Sequence, residues 1–318
     1  GLFSDSQSPY NYSDNDWLVA EVDESDGTID HFCPEVTVVR NLDWDHADRY
    51  SSSEQLESAF HQLIERTQAK VLIPEGYGIS RHFSETETIK IVRYRSDLMI
   101  GAGYSNALNQ ANAAAAIATL NVIEAGVANA SGLSTFAGMA RRQSILLQQA
   151  QLTVMEDYAH HPTEIHALLS YVRDANPNTR LVAVFQPHRY SRTKQFKDQF
   201  AESLQLADDV FLLPLYAAFE AELAGGRLSE LVDSFSGGAP ACLEMNLNGA
   251  KQLLKALDLN QPNLVVFIVG NKHPAYAEAI KQLYHAGVFS NGITAFYIKS
   301  DGEFAVFFGL LYVGNGID

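Results

Sequence analysis

Short apolar runs alternate with stretches of helical spacing along this chain, and from Gln151 onward the alternation is regular. Residues 152–155, 181–185, 209–213 and 264–269 are aliphatic or β-branched runs bounded by turn residues, which predicts buried strands. Residues 162–175, 193–206, 249–257 and 274–285 place apolar side chains three and four apart, which predicts helices. Such βαβα order implies a mostly parallel sheet with right-handed crossovers.

The first half is less regular. Residues 17–22 read as a buried strand that exits into Asp23-Glu24-Ser25-Asp26-Gly27, and residues 36–41 as a second that exits into Asp43, Trp44, Asp45, His46 and Asp48. Ser51 to Ser53 followed by Glu54 marks a helix start, with Leu56, Phe60, Leu63 and Ile64 as its apolar face to about Arg66. Residues 70–73 form a third strand closed by Pro74, and 86–100 are expected to add an antiparallel element. The alanine-rich stretch 107–120 predicts a helix, with Asn106, Asn109 and Asn112 near one face. Residues 134–142 read as a linker ending in Arg141-Arg142, and 294–313 as a terminal hairpin. The fold class is therefore α/β. A chain of 318 residues exceeds one ordinary core, so two domains are expected.

Composition removes some classes of partner. A net charge of -16 and a pI near 5.0 speak against nucleic acid or an anionic membrane surface. Two distant cysteines, Cys33 and Cys242, fit a reducing cytoplasm and give no disulfide or zinc framework. The longest apolar run, 304–313, is about half the length a membrane span requires. No signal peptide is visible, although the sequence opens on Gly1.

Polar chemistry collects where strands end. Asp157-Tyr158-Ala159-His160-His161-Pro162-Thr163-Glu164 and Phe185-Gln186-Pro187-His188-Arg189-Tyr190-Ser191-Arg192-Thr193-Lys194 each follow a strand and lead into a helix. Open α/β sheets bind ligands at such ends, and this mixture suits an anion. Glu21, at another strand end, is either part of a solvated acidic loop or an oxygen ligand for a hard cation such as magnesium. His161 is either functional or a structural helix start, and Asp45 and Asp48 are read as solvated loop acids.

These two motifs, with Ala20-Glu21-Val22-Asp23-Glu24-Ser25-Asp26 and Asn41-Leu42-Asp43-Trp44-Asp45-His46-Ala47-Asp48, resemble the Mur ligases in colinear order from about residue 17 to 286. Within that family they look most like the branch that joins L-alanine to UDP-N-acetylmuramate. The resemblance implies ATP and Mg2+ as cofactors and a cytoplasmic, cell-wall-building ligase. It also implies a partial central ATP-binding domain over 1–143, a Rossmann-like C-terminal ligase domain over 144–287 and an unassigned tail over 288–318. It makes Glu21 and His46 magnesium ligands with a catalytic role, shared by His188 and Arg189. Asn106, Asn109, Arg142 and Asp157 would bind ATP, and Tyr158, His188, Arg189 and Arg192 the amino-acid and sugar-nucleotide side. Tyr216 and Glu220 match a tyrosine and glutamate near the family's site.

Departures from the family pattern are informative. No Gly-Lys-Thr or Gly-Lys-Ser segment, which would cradle phosphates, occurs anywhere in the chain. The expectation is a piece of a longer ligase, inactive alone, with domains missing or fused at either end, or else a non-catalytic binding relative that has lost the cradle. No lysine lies between His46 and Lys70, which agrees with the alanine-adding branch and with its tripeptide-recycling alternative. The motif around Gln186 to Arg192 favours the alanine-adding one. Phe219 stands where the family usually has glycine, and would narrow the amino-acid pocket.

Overall fold

The structure, a computed structural model, describes residues 17–46, 49–75, 90–95, 107–123, 136 and 139–269. Two sheets organise them. The first has strands β1 (Val36–Val38), β2 (Lys70–Pro74) and β3 (Lys90–Tyr94) in that order, all parallel. Successive side chains of a strand face opposite ways, so β2 serves two layers. Val71 and Ile73 pack with Ile64 of helix α1 (Ser53–Arg66), while Leu72 packs with Ala114 and Ala115 of helix α2 (Ala107–Ile123). The small alanines let α2 lie close to the sheet.

Two expectations fail in this half. The element at Lys90–Tyr94 is parallel to β2, not antiparallel. The 15 positions from 75 to 89 that join them exceed a tight hairpin and suffice for a crossover. Residues 17–22 form no strand, and Leu18 and Val19 are 90% and 85% exposed. An apolar run becomes a strand only when a neighbour takes its backbone hydrogen bonds, and no described strand does so here.

The second sheet has six strands: β4 (Ser144–Gln148), β5 (Leu152–Asp157), β6 (Arg180–Gln186), β7 (Asp209–Leu212), β8 (Ala241–Cys242) and β9 (Asn263–Val269). Their order is β4-β5-β9-β6-β7-β8, with β4 antiparallel to β5 and every other pairing parallel. Leu181, Ala183 and Phe185 of β6 and Leu264, Val266 and Ile268 of β9 pack on helices α3 (Pro162–Ala175) and α4 (Tyr190–Leu204). Val182, Val184, Val265 and Phe267 face the other way, onto Leu253 and Leu254 of helix α6 (Leu247–Ala256), which follows the short α5 (Leu228–Val232). Both faces of β6 and β9 are thus buried, which explains their unbroken apolar runs.

Chain order and space order diverge at β9, which inserts between β5 and β6 although it comes last. Asp157 pairs with Ile268 and Gln186 with Val269, so β5, β6 and β9 end level, at the edge where ligands of doubly wound sheets lie. Asn106, Asp48, the helix expected over 274–285 and the hairpin expected over 294–313 lie outside the described residues.

Candidate functional site

Backbone strain marks the loops at this edge. Of the described non-glycine residues, His46, Arg141, Gln143, Arg189, Ala218 and Phe219 have positive φ. Left-handed backbone costs about 1 kcal/mol or more for such residues, and all six fall in the loops that carry the site.

After β5, Asp157 is buried, and its carboxylate accepts from the backbone N–H of Ala159 at 2.7 Å and of Gln143 at 3.0 Å. Burial raises its pKa against those two bonds and the nearby Arg142 charge. The chain then turns into α3 through a capping box. The His161 ring accepts from Thr163 N–H at 3.3 Å, while Glu164 accepts from His160 and His161 N–H at 3.0 and 3.3 Å. His161 also meets the Phe196 ring edge-on at 4.7 Å between centroids. The ring thus caps α3 through Nδ1 and packs on Phe196, while its buried Nε2 has no hydrogen-bond partner among the described residues. Tyr158 lies beneath two guanidiniums, Arg141 at 5.0 Å and Arg142 at 5.4 Å from its ring centre, and meets His160 edge-on. Arg141 donates to the Val269 carbonyl at the end of β9, tying the linker to the sheet. Arg142, half-exposed, stands 3.8 Å from Glu164 and 4.0 Å from Asp157.

After β6, Arg189 takes the left-handed N-cap position of α4, and its N–H donates to Tyr216 carbonyl oxygen at 2.8 Å. The His188 ring stacks on Tyr216 at 5.3 Å. Burial, followed by the Arg192, His160 and Arg189 charges, lowers the His188 pKa to about 4 against the pull of Glu220. Glu220 accepts from Ser191 N–H at 3.0 Å and Ser191 Oγ at 2.6 Å, so its carboxylate occupies the positive end of α4. Gly226 presses on the Tyr190 carbonyl so closely that any Cβ there would clash.

Arg192, one turn along α4, reaches the other sheet. Its Nε and Nη2 donate to the two oxygens of Asp45 at 3.1 and 2.8 Å, and its Nη1 lies 3.2 Å from His188 Nδ1. Both charges are inside, with side chains 5% and 13% exposed. Burial pushes the Asp45 carboxyl up, but the Arg192 hydrogen bonds and charge, helped by His46, bring it down to about 2. Asp45 is therefore not the solvated loop acid that its sequence context suggests. Its partner lies 147 positions away, beyond any local pattern. Arg192, expected to hold substrate, spends its nitrogens on Asp45 and His188. The neighbouring Trp44 meets Phe196 of α4 edge-on at 6.5 Å, so the loop after β1 packs on the helix that follows β6.

His46 lies in this joint. Its N–H donates to Asp45 at 2.7 Å, its Nε2 is 3.4 Å from Glu24, and its buried Nδ1 has no hydrogen-bond partner among the described residues. Burial lowers its pKa, but Glu24 and Asp45 outweigh that and leave it raised. Tyr50 Oη donates to the Glu24 carbonyl at 2.8 Å, fixing the acidic loop there. Two carboxylates stand beside His46 Nε2, Glu24 at 3.4 Å and Asp45 at 3.8 Å, while Glu21 is exposed. Asn109 is half-buried on α2 and Asn112 exposed.

A magnesium centre does not assemble from these side chains alone. Magnesium requires several oxygen ligands, yet Asp45 is committed to Arg192 and Glu24 faces an imidazole. Among the described residues no group of three or more His, Cys, Asp or Glu is placed to hold a cation, and no described helix is long and apolar enough to cross a membrane. What the edge does present is a set of guanidinium, imidazole and phenol groups suited to an anion.

Comparison with known proteins meets this geometry at the second sheet. Residues 141–272 match the family described as Mur ligase, glutamate ligase domain. A UDP-N-acetylmuramate–L-alanine ligase of Chelativorans sp. (strain BNC1) is 31% identical over 259 residues, covering 70% of this chain and 56% of the relative. The chain spans about half the length of the curated relatives it matches. The crystal structure of UDP-N-acetylmuramate-alanine ligase MurC from Thermotoga maritima superposes with a TM-score of 0.59 at 22% identity, over 81% of this chain and 61% of that one. MurF ligase from the same organism, in complex with ADP, superposes at 0.57 and 13% identity, over 83% and 65%. These likenesses establish the fold.

Proposed function

The chain carries the C-terminal, glutamate ligase domain of the Mur ligase family, and from that premise we propose that it serves the ATP-dependent addition of L-alanine to UDP-N-acetylmuramate in peptidoglycan precursor synthesis. The observation that carries this reading is the meeting of two strand-end loops, with Asp45 and His46 from one sheet and His188, Arg189 and Arg192 from the other. A ligase that passes an acyl group from phosphate to amine needs its halves to meet at such a place. In the proposed sequence the γ-phosphoryl group of ATP passes to the muramyl carboxylate and ADP leaves. The alanine amine then attacks the acyl carbon and gives up a proton, a C–N bond forms, the C–O bond to phosphate breaks and inorganic phosphate leaves.

Tyr158, His188 and Arg189 are proposed to face the amino acid and the sugar nucleotide, and Asn106, Asn109, Arg142 and Asp157 the ATP. Magnesium enters as ATP's partner, with Glu21 and His46 as its proposed neighbours, and no step is routed through it. Residues 1–143 and 144–287 are taken as central and ligase domains, and the cytoplasm as the compartment. Because no Gly-Lys-Thr or Gly-Lys-Ser segment occurs in the sequence, residues 1–318 alone are proposed not to turn over. Robust ATP-dependent ligation by these residues would refute that point. For the substrate, the full gene product is assayed with ATP, magnesium and UDP-N-acetylmuramate, with L-alanine and the muropeptide tripeptide in competition. Consumption of L-alanine is expected, and consumption of the tripeptide alone would overturn the assignment.

A further inference from the structure

We propose that Asp45 is a positioning residue: by fixing the Arg192 guanidinium it commits His188 to the tautomer protonated on Nε2, so this imidazole meets substrate as a hydrogen-bond donor and not as the base that deprotonates the amine. Arginine offers only donors, so an Nη1 at 3.2 Å from His188 Nδ1 requires a lone pair on Nδ1. The single proton of a neutral imidazole then sits on Nε2. Protonation at Nδ1 would set two N–H groups against each other.

What makes this pose durable is Asp45. Two hydrogen bonds hold Arg192 through Nε and Nη2 and leave Nη1 for His188, and a guanidinium is planar, so fixing two nitrogens fixes the third. Asp45 is itself held by the His46 N–H at 2.7 Å. On the other side Tyr216 stacks on the His188 ring and limits its rotation. The titratable groups and charges facing the ring are the guanidiniums of Arg192 and Arg189, the His160 imidazole, which burial keeps neutral near pH 7, and the Glu220 carboxylate. Cations outnumber the one carboxylate, and that carboxylate is engaged by Ser191, so the ring remains neutral near pH 7.

The chemical class that an Nε2–H recognises is an anionic oxygen, whether carboxylate or phosphoryl. Naming that oxygen as the substrate's rests on the ligase reading above, whereas the tautomer does not. A base for the alanine amine has to be sought elsewhere, because a ring nitrogen that carries a proton has no lone pair to accept another.

The test uses residues 1–318 without substrate, labelled with 15N-histidine, with H188Q to assign the His188 signals. Near pH 7 the expected pattern is an unprotonated, pyridine-type Nδ1 and a protonated Nε2. A proton on Nδ1 in this wild-type spectrum overturns the proposal. In D45N, checked for folding by circular dichroism, the two shifts are expected to move toward each other as the tautomers mix. Unchanged shifts in folded D45N overturn Asp45's role. If D45N does not fold, D45E keeps the buried pair charged but displaces the carboxylate by one methylene, and it carries the same expectation; an unchanged pattern in folded D45E overturns Asp45's role. A failure of the ligation assay with an intact tautomer pattern would count against the ligase reading alone.

Discussion

Arg192 grips Asp45 with two hydrogen bonds, 3.1 and 2.8 Å long, across the boundary between the two sheets. Breaking a buried pair by removing one partner leaves the other charge uncompensated, which costs about 3–5 kcal/mol. D45A and R192A are each expected to fall in that range in urea unfolding. The double variant D45A/R192A is expected to lose clearly less than their sum, because it strands no charge. Additive losses would mean that the two side chains do not share one interaction in solution.

His188 makes stability depend on pH in the acid range. Its folded pKa is lowered to about 4, against about 6.5 for an ordinary histidine. As pH falls below 6.5 the unfolded chain binds the proton first, so stability is full above that point. It is then lost progressively down to pH 4, by less than the full shift would give, because the ring is partly exposed and solvent screens its charge. H188Q is expected to flatten this limb between pH 6.5 and 4.5 in chemical denaturation. An unchanged limb would place the acid sensitivity elsewhere.

Glu220 was open to a substrate role in the sequence, and its geometry offers a structural one. It accepts from the N–H and Oγ of Ser191 at the start of α4, much as an N-cap side chain does. E220A is expected to cost about 1 kcal/mol, with E220Q losing less. Glu164 caps α3 through His160 and His161 N–H, and E164A is expected to cost a similar amount. Thermal unfolding separates these effects from binding, and an E220A variant of wild-type stability would return Glu220 to the substrate-binding candidates.

The doubly wound half was legible because β6 and β9 are buried on both faces and therefore read as apolar runs whatever their partners. Edge strands gave no such signal. β8 has two residues, both exposed, and β4 buries only Leu147, so neither stood out. Residues 17–22 show the opposite error, since an apolar run states a preference for burial without supplying the neighbour that satisfies it. The two strand-end motifs around Asp157 and His188 were visible from local chemistry. The Asp45–Arg192 pair was not, because nothing near Asp45 in sequence distinguishes an acid that will meet an arginine on a helix 147 positions away from one that will meet water. That blindness is physical, since long-range pairing is decided by the fold's closure.

Phe219 lies on the loop that follows β7. It is fully exposed, it has φ of 71°, and it follows Ala218 at 48°. Its ring is thus presented outward by a strained loop that Glu220 and Gly226 hold against α4. Glycine adopts this backbone without steric cost but loses more freedom on folding, so F219G is expected to be neutral or up to about 1 kcal/mol more stable. F219V, β-branched, should lose about 1 kcal/mol or more for the same reason. If the ring narrows the amino-acid pocket, F219G in the full gene product raises KM for L-alanine and lets larger amino acids compete, while the melting temperature holds or rises. A loss of stability with unchanged KM would show instead that the ring packs within the protein and does not face the substrate.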